Sequence, residues 1–156
     1  MNQIEKQPIP EIIFQTEKRD EEQILAEMQN QIAKEWVYTI DVRGQKVTSL
    51  SYAGVKEAVR RRGNFRFVPC THCGKSVHVD EDEKEYRAQV TVHDENRNVM
   101  FLGAAAVPRN YPFAWVLAVN KAERNAMRKM LPEKQIALLV EQFLRKGPIV
   151  PVGKLG

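Results

Sequence analysis

Between Asp20 and Ile32 the apolar residues Ile24, Met28 and Ile32 recur at the spacing of one helical face. Asp20 stands where a capping side chain is wanted, and Glu21 and Glu22 sit at the positive end of the helix dipole, so a helix is predicted from Asp20 onward. The pattern then changes. Trp36–Val42 is β-branched and aromatic, Arg43-Gly44-Gln45 reads as a tight turn, and Lys46–Leu50 returns, which predicts a hairpin. Ser49 or Ser51 can cap a short helix that runs through Arg62 and ends at Gly63. Phe65–Val68 alternates into a turn at Cys70–Lys75, and Ser76–Val79 leaves it, a second predicted hairpin. Tyr86–Val92 and Val99–Val107, joined by Asp94–Asn98, make a third. After the break at Pro108–Pro112 the spacing predicts a long helix from about Phe113 to Leu131. Pro132 suits the first turn of a further helix through Lys146.

Antiparallel hairpins with segregated helices predict an α+β fold, a curved antiparallel sheet packed against the long helix. Residues 1–18, with two prolines and no sustained period, read as a flexible arm, residues 19–146 as a single domain and residues 147–156 as a flexible tail. A chain of 156 residues, 43% hydrophobic, has room for one domain with a substantial core. No apolar run is long enough to span a bilayer, and Met1–Pro10 lacks the apolar segment of a secretion signal. Two cysteines spaced C-x-x-C make a poor disulfide scaffold and suit a reducing compartment. A cytoplasmic, nucleoid-associated protein is expected.

The net charge of +4 is unevenly distributed. Residues 1–42 hold four Lys/Arg against nine Asp/Glu, whereas residues 43–75 hold eight against one. Residues 76–99 hold three against seven, and residues 120–146 hold seven against three. Two basic blocks separated by an acidic one point to directed fields and an anionic partner.

Within the last block, Asn120–Met130 wound as a helix places Lys121, Arg124 and Arg128 on one stripe, opposite Trp115, Val119, Ala122, Ala126 and Met130. Such a stripe can follow a phosphate backbone, with Asn120 and Asn125 as neutral donors beside it. The other basic block supplies Arg60, Arg61 and Arg62 at a helix C-terminus, with Lys46 and Arg66 extending the patch. Tyr52, Phe65, Phe67 and Tyr111 are interleaved and can stack bases, although strand spacing favours the core for Phe65 and Phe67.

Cys70-Thr71-His72-Cys73-Gly74 resembles half of a zinc knuckle, because that turn lets two thiolates reach one tetrahedral ion. His78 is the favoured third ligand, with His72, His93 or a ligand from another subunit as alternatives, and unligated thiols at a hairpin tip as the plain structural reading. The acidic run Asp80–Glu83 reads as a solvated charge run, and no phosphate-cradling glycine loop is present, so catalysis and ATP use are not expected.

The order of these elements resembles the Rad fifty-two-type single-strand annealing proteins over residues 20–131. The resemblance is carried by Val37–Leu50 with its Gly44-Gln45-Lys46 turn, Tyr86–Ala106 and Lys121–Met130. It implies a ring or helical homo-oligomer that binds single-stranded DNA in a basic groove and anneals complementary strands in recombination and repair. Lys46 matches the hairpin cation of that family. Arg124 and Asn125 match a pair of basic residues on the long helix, with Arg128 one turn later; Asn125 departs from the expected cation. The Cys70–Lys75 turn has no counterpart in the family pattern. The expected function is ATP-independent, non-enzymatic single-strand binding and annealing. The alternatives are a zinc-knuckle nucleic-acid adaptor without annealing, with zinc at Cys70 and Cys73, and a structural oligomer or protein-interaction module.

Overall fold

The computed structural model describes residues 9–31 and 35–146. The element order among them is α1 (Ile9–Met28), β1 (Val37–Val42), β2 (Gln45–Leu50), α2 (Tyr52–Arg62), β3 (Phe65–Val68), β4 (His78–Glu81), β5 (Glu85–Asp94), β6 (Val99–Pro108), α3 (Ala114–Lys129) and α4 (Glu133–Lys146). The α+β expectation is met, with four helices and two antiparallel sheets among the described residues. The chain gathers into two compact units. One joins the chain up to Gly54 with the segment from Glu133 onward, and the other runs from Val55 to Pro132.

In the first unit, the predicted hairpin forms with Val37 opposite Leu50 and Val42 opposite Gln45. Its two turn residues, Arg43 and Gly44, have φ of 53° and 81°. Positive φ at both centres gives the primed turn that matches strand twist, and Asp41 Oδ1 accepts the Gly44 N–H at 3.0 Å. Tyr38, Ile40 and Val42 form a buried cluster against which Ile12 packs. That packing corrects the expected arm: helix α1 already begins at Ile9, because an apolar side chain before Asp20 has a core to reach. Asp20 does not cap α1. It lies inside that helix, buried, and accepts the Tyr52 N–H at 2.8 Å, so it serves the N-terminus of α2. Of the predicted apolar face, Ile24 is buried and Met28 exposed, while Ile32 lies outside the described residues, as do residues 1–8 and the expected tail. Ser51 caps α2 by accepting the Gly54 N–H at 3.0 Å, and Trp36 packs on Phe143 of α4 at 4.8 Å between ring centroids.

The second unit is organised around β5. Strand β6 pairs with it along its whole length, from Glu85 opposite Pro108 to Asp94 opposite Val99. The other edge of β5 is shared by two short strands: β3 lies opposite residues 91–94 and β4 opposite residues 86–89. The expected β3–β4 hairpin therefore does not exist. Both strands run antiparallel to β5, end to end, and the chain between them leaves the sheet as a loop. Pro69 opens that excursion and cannot donate to a ladder.

Ala88, Val90 and Val92 form the inner face of β5, and burying each valine side chain stabilises the fold by about 2 kcal/mol. Helix α3 presents Ala114, Ala118, Ala122 and Ala126 at four-residue intervals, all buried. Small side chains let the helix come close. A Cβ added at Gly103 of β6 would lie 2.2 Å from Ala122 O and 2.3 Å from Ala126 N. Phe65 and Phe67, opposite Asp94 and Val92, share this inner side and pack edge to face at 6.1 Å, in line with a core role.

Candidate metal centre and nucleic-acid interface

The loop between β3 and β4 is folded by its own backbone. Cys70 N–H donates to Lys75 O at 2.8 Å and Gly74 N–H to Cys70 O at 2.7 Å. Gly74 has φ of 74°, a region that costs glycine little. The His72 N–H donates to Cys70 Sγ at 3.3 Å. Hydrogen bonds from the Cys73 and His72 backbone hold the Cys70 thiol below its usual pKa, which favours the thiolate that a metal requires.

His78, the first residue of β4, turns its imidazole back to the loop, with Nδ1 3.4 Å from Cys73 Sγ. Its other nitrogen, Nε2, lies 3.2 Å from Asp80 Oδ2. His78 and Asp80 are two apart on a strand and share a face. The Cys70, Cys73 and His78 ligand atoms all lie within 4.8 Å of one another, so this group can hold a metal ion. A histidine that offers one nitrogen to a metal and the other to a carboxylate is the usual way proteins fix the liganding tautomer. His72 stands 5.9 Å from His78 between ring centroids and is not in the group; His93 is hydrogen-bonded to Asn98 at 2.9 Å.

The cations expected to contact DNA, together with Arg43 and Lys75, fall into two classes. The helical stripe of α3 is not an exposed row: Lys121 and Arg124 are each only 7% exposed, while Trp115, expected on the core side, is 50% exposed. The physical reason is the sheet. The alanine ladder sets which side of α3 faces β5 and β6, and Lys121 and Arg124 lie beside that ladder. Arg124 Nε and Nη2 donate to Asn125 Oδ1 at 3.0 and 2.9 Å, and Asn125 Nδ2 donates to Ala104 O at 2.7 Å. Arg62 donates to both oxygens of the buried Asp94 at 2.7 Å. Arg97 donates to the same carboxylate at 2.8 Å and to Met130 O, at the end of α3, at 2.7 Å. Arg60 and Arg61 share Glu57. These residues have structural partners.

Arg43, Lys46, Arg66, Lys75 and Arg128 form the second class. None has a hydrogen-bond or ion-pair partner for its side chain among the described residues. Arg43, Lys46, Arg66 and Lys75 are exposed and Arg128 is half-buried. Arg43 and Lys46 flank Gly44 on the first unit's hairpin, and the other three belong to the second unit. Tyr52 is buried and Tyr111 exposed, which removes the first from any stacking role.

Sequence reasoning misses three residues of these surfaces. Asp80 is hidden within the acidic run, although the His78-x-Asp80 spacing on a strand is a usable signal. Arg43 reads only as a turn residue. Trp115 joins the apolar side of the helical wheel; it is the second residue of α3. No family model matches the chain, and no curated protein or solved structure matches it either.

Proposed function

We propose that this protein binds single-stranded DNA and anneals complementary strands, without ATP, as a homo-oligomer acting in recombination and repair. The observation that carries the reading is the β1–β2 hairpin, where Arg43 and Lys46 are exposed and without a partner among the described residues. A cation free of carboxylate partners can take a phosphate without first breaking an ion pair, and each phosphate contact releases counterions. The element order of the annealing proteins supports the same reading. On the second unit Arg66 and Arg128 are further cations without a side-chain partner among the described residues, and the tied residues Arg62, Arg124 and Asn125 hold that unit's scaffold. The test is retention of a labelled oligonucleotide across a salt series, with fluorescence-detected annealing and solution mass in parallel. Binding, annealing and a large assembly are expected; no retention at about 50 mM salt, where phosphate contacts are strongest, sinks the proposal.

Zinc is the proposed occupant of Cys70, Cys73 and His78, because thiolate and imidazole donors at this spacing suit a tetrahedral ion. Its role there is structural, to fix the loop. The His78–Asp80 contact favours a second reading, a zinc-knuckle nucleic-acid adaptor. Oligonucleotide binding without any annealing selects the adaptor.

A further inference from the structure

We infer that the groove between the Cys70–Lys75 loop and the start of α3 takes one unpaired nucleobase, stacked on Trp115. The inference rests on the single-strand-binding reading above. The groove has a volume of about 460 Å³ and is lined by Cys73, Lys75, His78, Glu81, Tyr86 and Trp115, with two valines between them. That volume lies in the range of small-molecule sites.

Trp115 is 50% exposed, lines the groove and has no ring partner among the described residues, so its indole is open to a stacking partner. Tyr86 forms a second aromatic surface of the groove, and its orientation is supported by the Arg109 guanidinium, 5.3 Å from the ring centroid. Arg109 is itself anchored by donating to Asp82 O at 2.8 Å. An aromatic wall with polar groups around it is the construction that single-strand binders use for bases.

The charge pattern selects a base for the interior and a phosphate for the rim. Among the described residues the interior offers no unpaired cation to a phosphate, whereas the Glu81 carboxylate, 3.8 Å from the Arg109 guanidinium, can accept from the exocyclic amine of a base. Lys75, exposed and without a side-chain partner among the described residues, supplies a cation for the adjacent phosphate. A peptide aromatic could stack on Trp115 as well, but it brings no anion for Lys75. Two of the metal-binding residues, Cys73 and His78, are part of the lining, so metal at the knuckle would hold one wall of the groove in place.

The test uses the whole, zinc-loaded protein and single-stranded oligoadenylate. The chain has two tryptophans, so intrinsic fluorescence is interpretable. Oligonucleotide binding is expected to quench the wild-type emission. Trp115→Phe should remove the quench and keep affinity, by anisotropy of a labelled strand, within about threefold, because the ring still stacks. Trp115→Ala should weaken binding by about tenfold, the scale of one base stack, with an unchanged circular dichroism spectrum. Wild-type affinity in Trp115→Ala, or a quench that persists in Trp115→Phe and so arises from Trp36, overturns the inference and leaves single-strand binding standing. No binding of any oligonucleotide at low salt overturns both.

Discussion

The side-chain amide of Asn125 donates to the backbone carbonyl of Ala104 at 2.7 Å, tying helix α3 to strand β6. Lys129, one turn on, donates to Leu102 O at 2.6 Å. Both carbonyls lie on a strand whose only ladder partner among the described residues is β5, so two polar side chains of α3 engage backbone groups that a bare edge would offer to another chain. Asn125 also accepts from the Arg124 guanidinium, one of the contacts that offset burial of an arginine only 7% exposed on this helix. The residue that departs from the annealing-family pattern thus has a structural task.

Asn125→Ala removes the donor to Ala104 and one acceptor of the Arg124 guanidinium together. Leaving a buried guanidinium short of a partner costs about 1–3 kcal/mol. Urea denaturation should show that loss, whereas Arg128→Ala, at a half-buried residue with no side-chain partner among the described residues, should stay within about 0.5 kcal/mol of wild type. Equal effects of the two substitutions would contradict the assignment.

Gly103 and Gly44 separate two reasons for glycine. At Gly103 an added methyl meets backbone atoms of α3, which cannot turn aside, and Gly103→Ala should cost about 3 kcal/mol or prevent folding. At Gly44 nothing lies within 4 Å, and only the φ of +81° resists a side chain. Gly44→Ala should therefore cost about 1 kcal/mol, measured by the same denaturation series.

Much of this architecture is legible locally and much of the site is not. The Arg43–Gly44 turn, the Ser51 cap and the Gly63 stop depend on neighbouring residues, and they form where periodicity and turn chemistry put them. The β3–β4 hairpin fails because pairing is a long-range choice. Short alternating segments state that a strand exists, without stating that both will find the same edge of β5. The α3 stripe fails for a related reason. A helical wheel gives the angle between Lys121, Arg124 and the apolar residues, but Gly103 and the alanine ladder decide how wide the buried face becomes. The Cys70 and Cys73 members of the group that can hold a metal are legible from spacing. Asp80 needs the strand direction as well, because only there does a residue two positions on return to the same face.

The Asp94 carboxyl is held well below the usual carboxylate range. Burial opposes its ionisation, and hydrogen bonds from Arg62 and Arg97 outweigh that effect. A pKa lower in the folded than in the unfolded state, where it is about 4, means that ionised Asp94 favours the fold above that pH. This contribution is lost as the pH falls below it. Wild-type stability should therefore decline between about pH 4 and pH 2, and Asp94→Asn should flatten part of that decline. At neutral pH the substitution leaves Arg62 without its carboxylate and should cost about 3 kcal/mol by urea denaturation.

At the metal group, Cys70→Ser or Cys73→Ser should abolish stoichiometric zinc in purified protein, measured by elemental analysis. Asp80→Asn keeps all three ligands and removes only the negative charge facing His78 Nε2. Its zinc affinity, measured by chelator competition, should fall by about tenfold or more, the usual cost of losing a carboxylate behind a histidine ligand. Unchanged affinity would reduce the His78–Asp80 contact to a surface ion pair.

Free and tied cations should separate cleanly when nucleic-acid binding and stability are measured on the same proteins. Lys46 and Arg66 are exposed and have no side-chain partner among the described residues. Replacing either with Ala should leave the urea midpoint unchanged and lower the salt slope of single-strand binding by about one unit for each phosphate no longer held. Arg62 and Arg124 are held by Asp94 and Asn125, so their replacement should act first on stability. Under conditions where the Arg62→Ala and Arg124→Ala proteins remain folded, their salt slopes should match wild type, because neither guanidinium reaches a phosphate. Slopes lowered by replacing the tied arginines and untouched by replacing the free cations would reverse the assignment and return the nucleic-acid interface to helix α3.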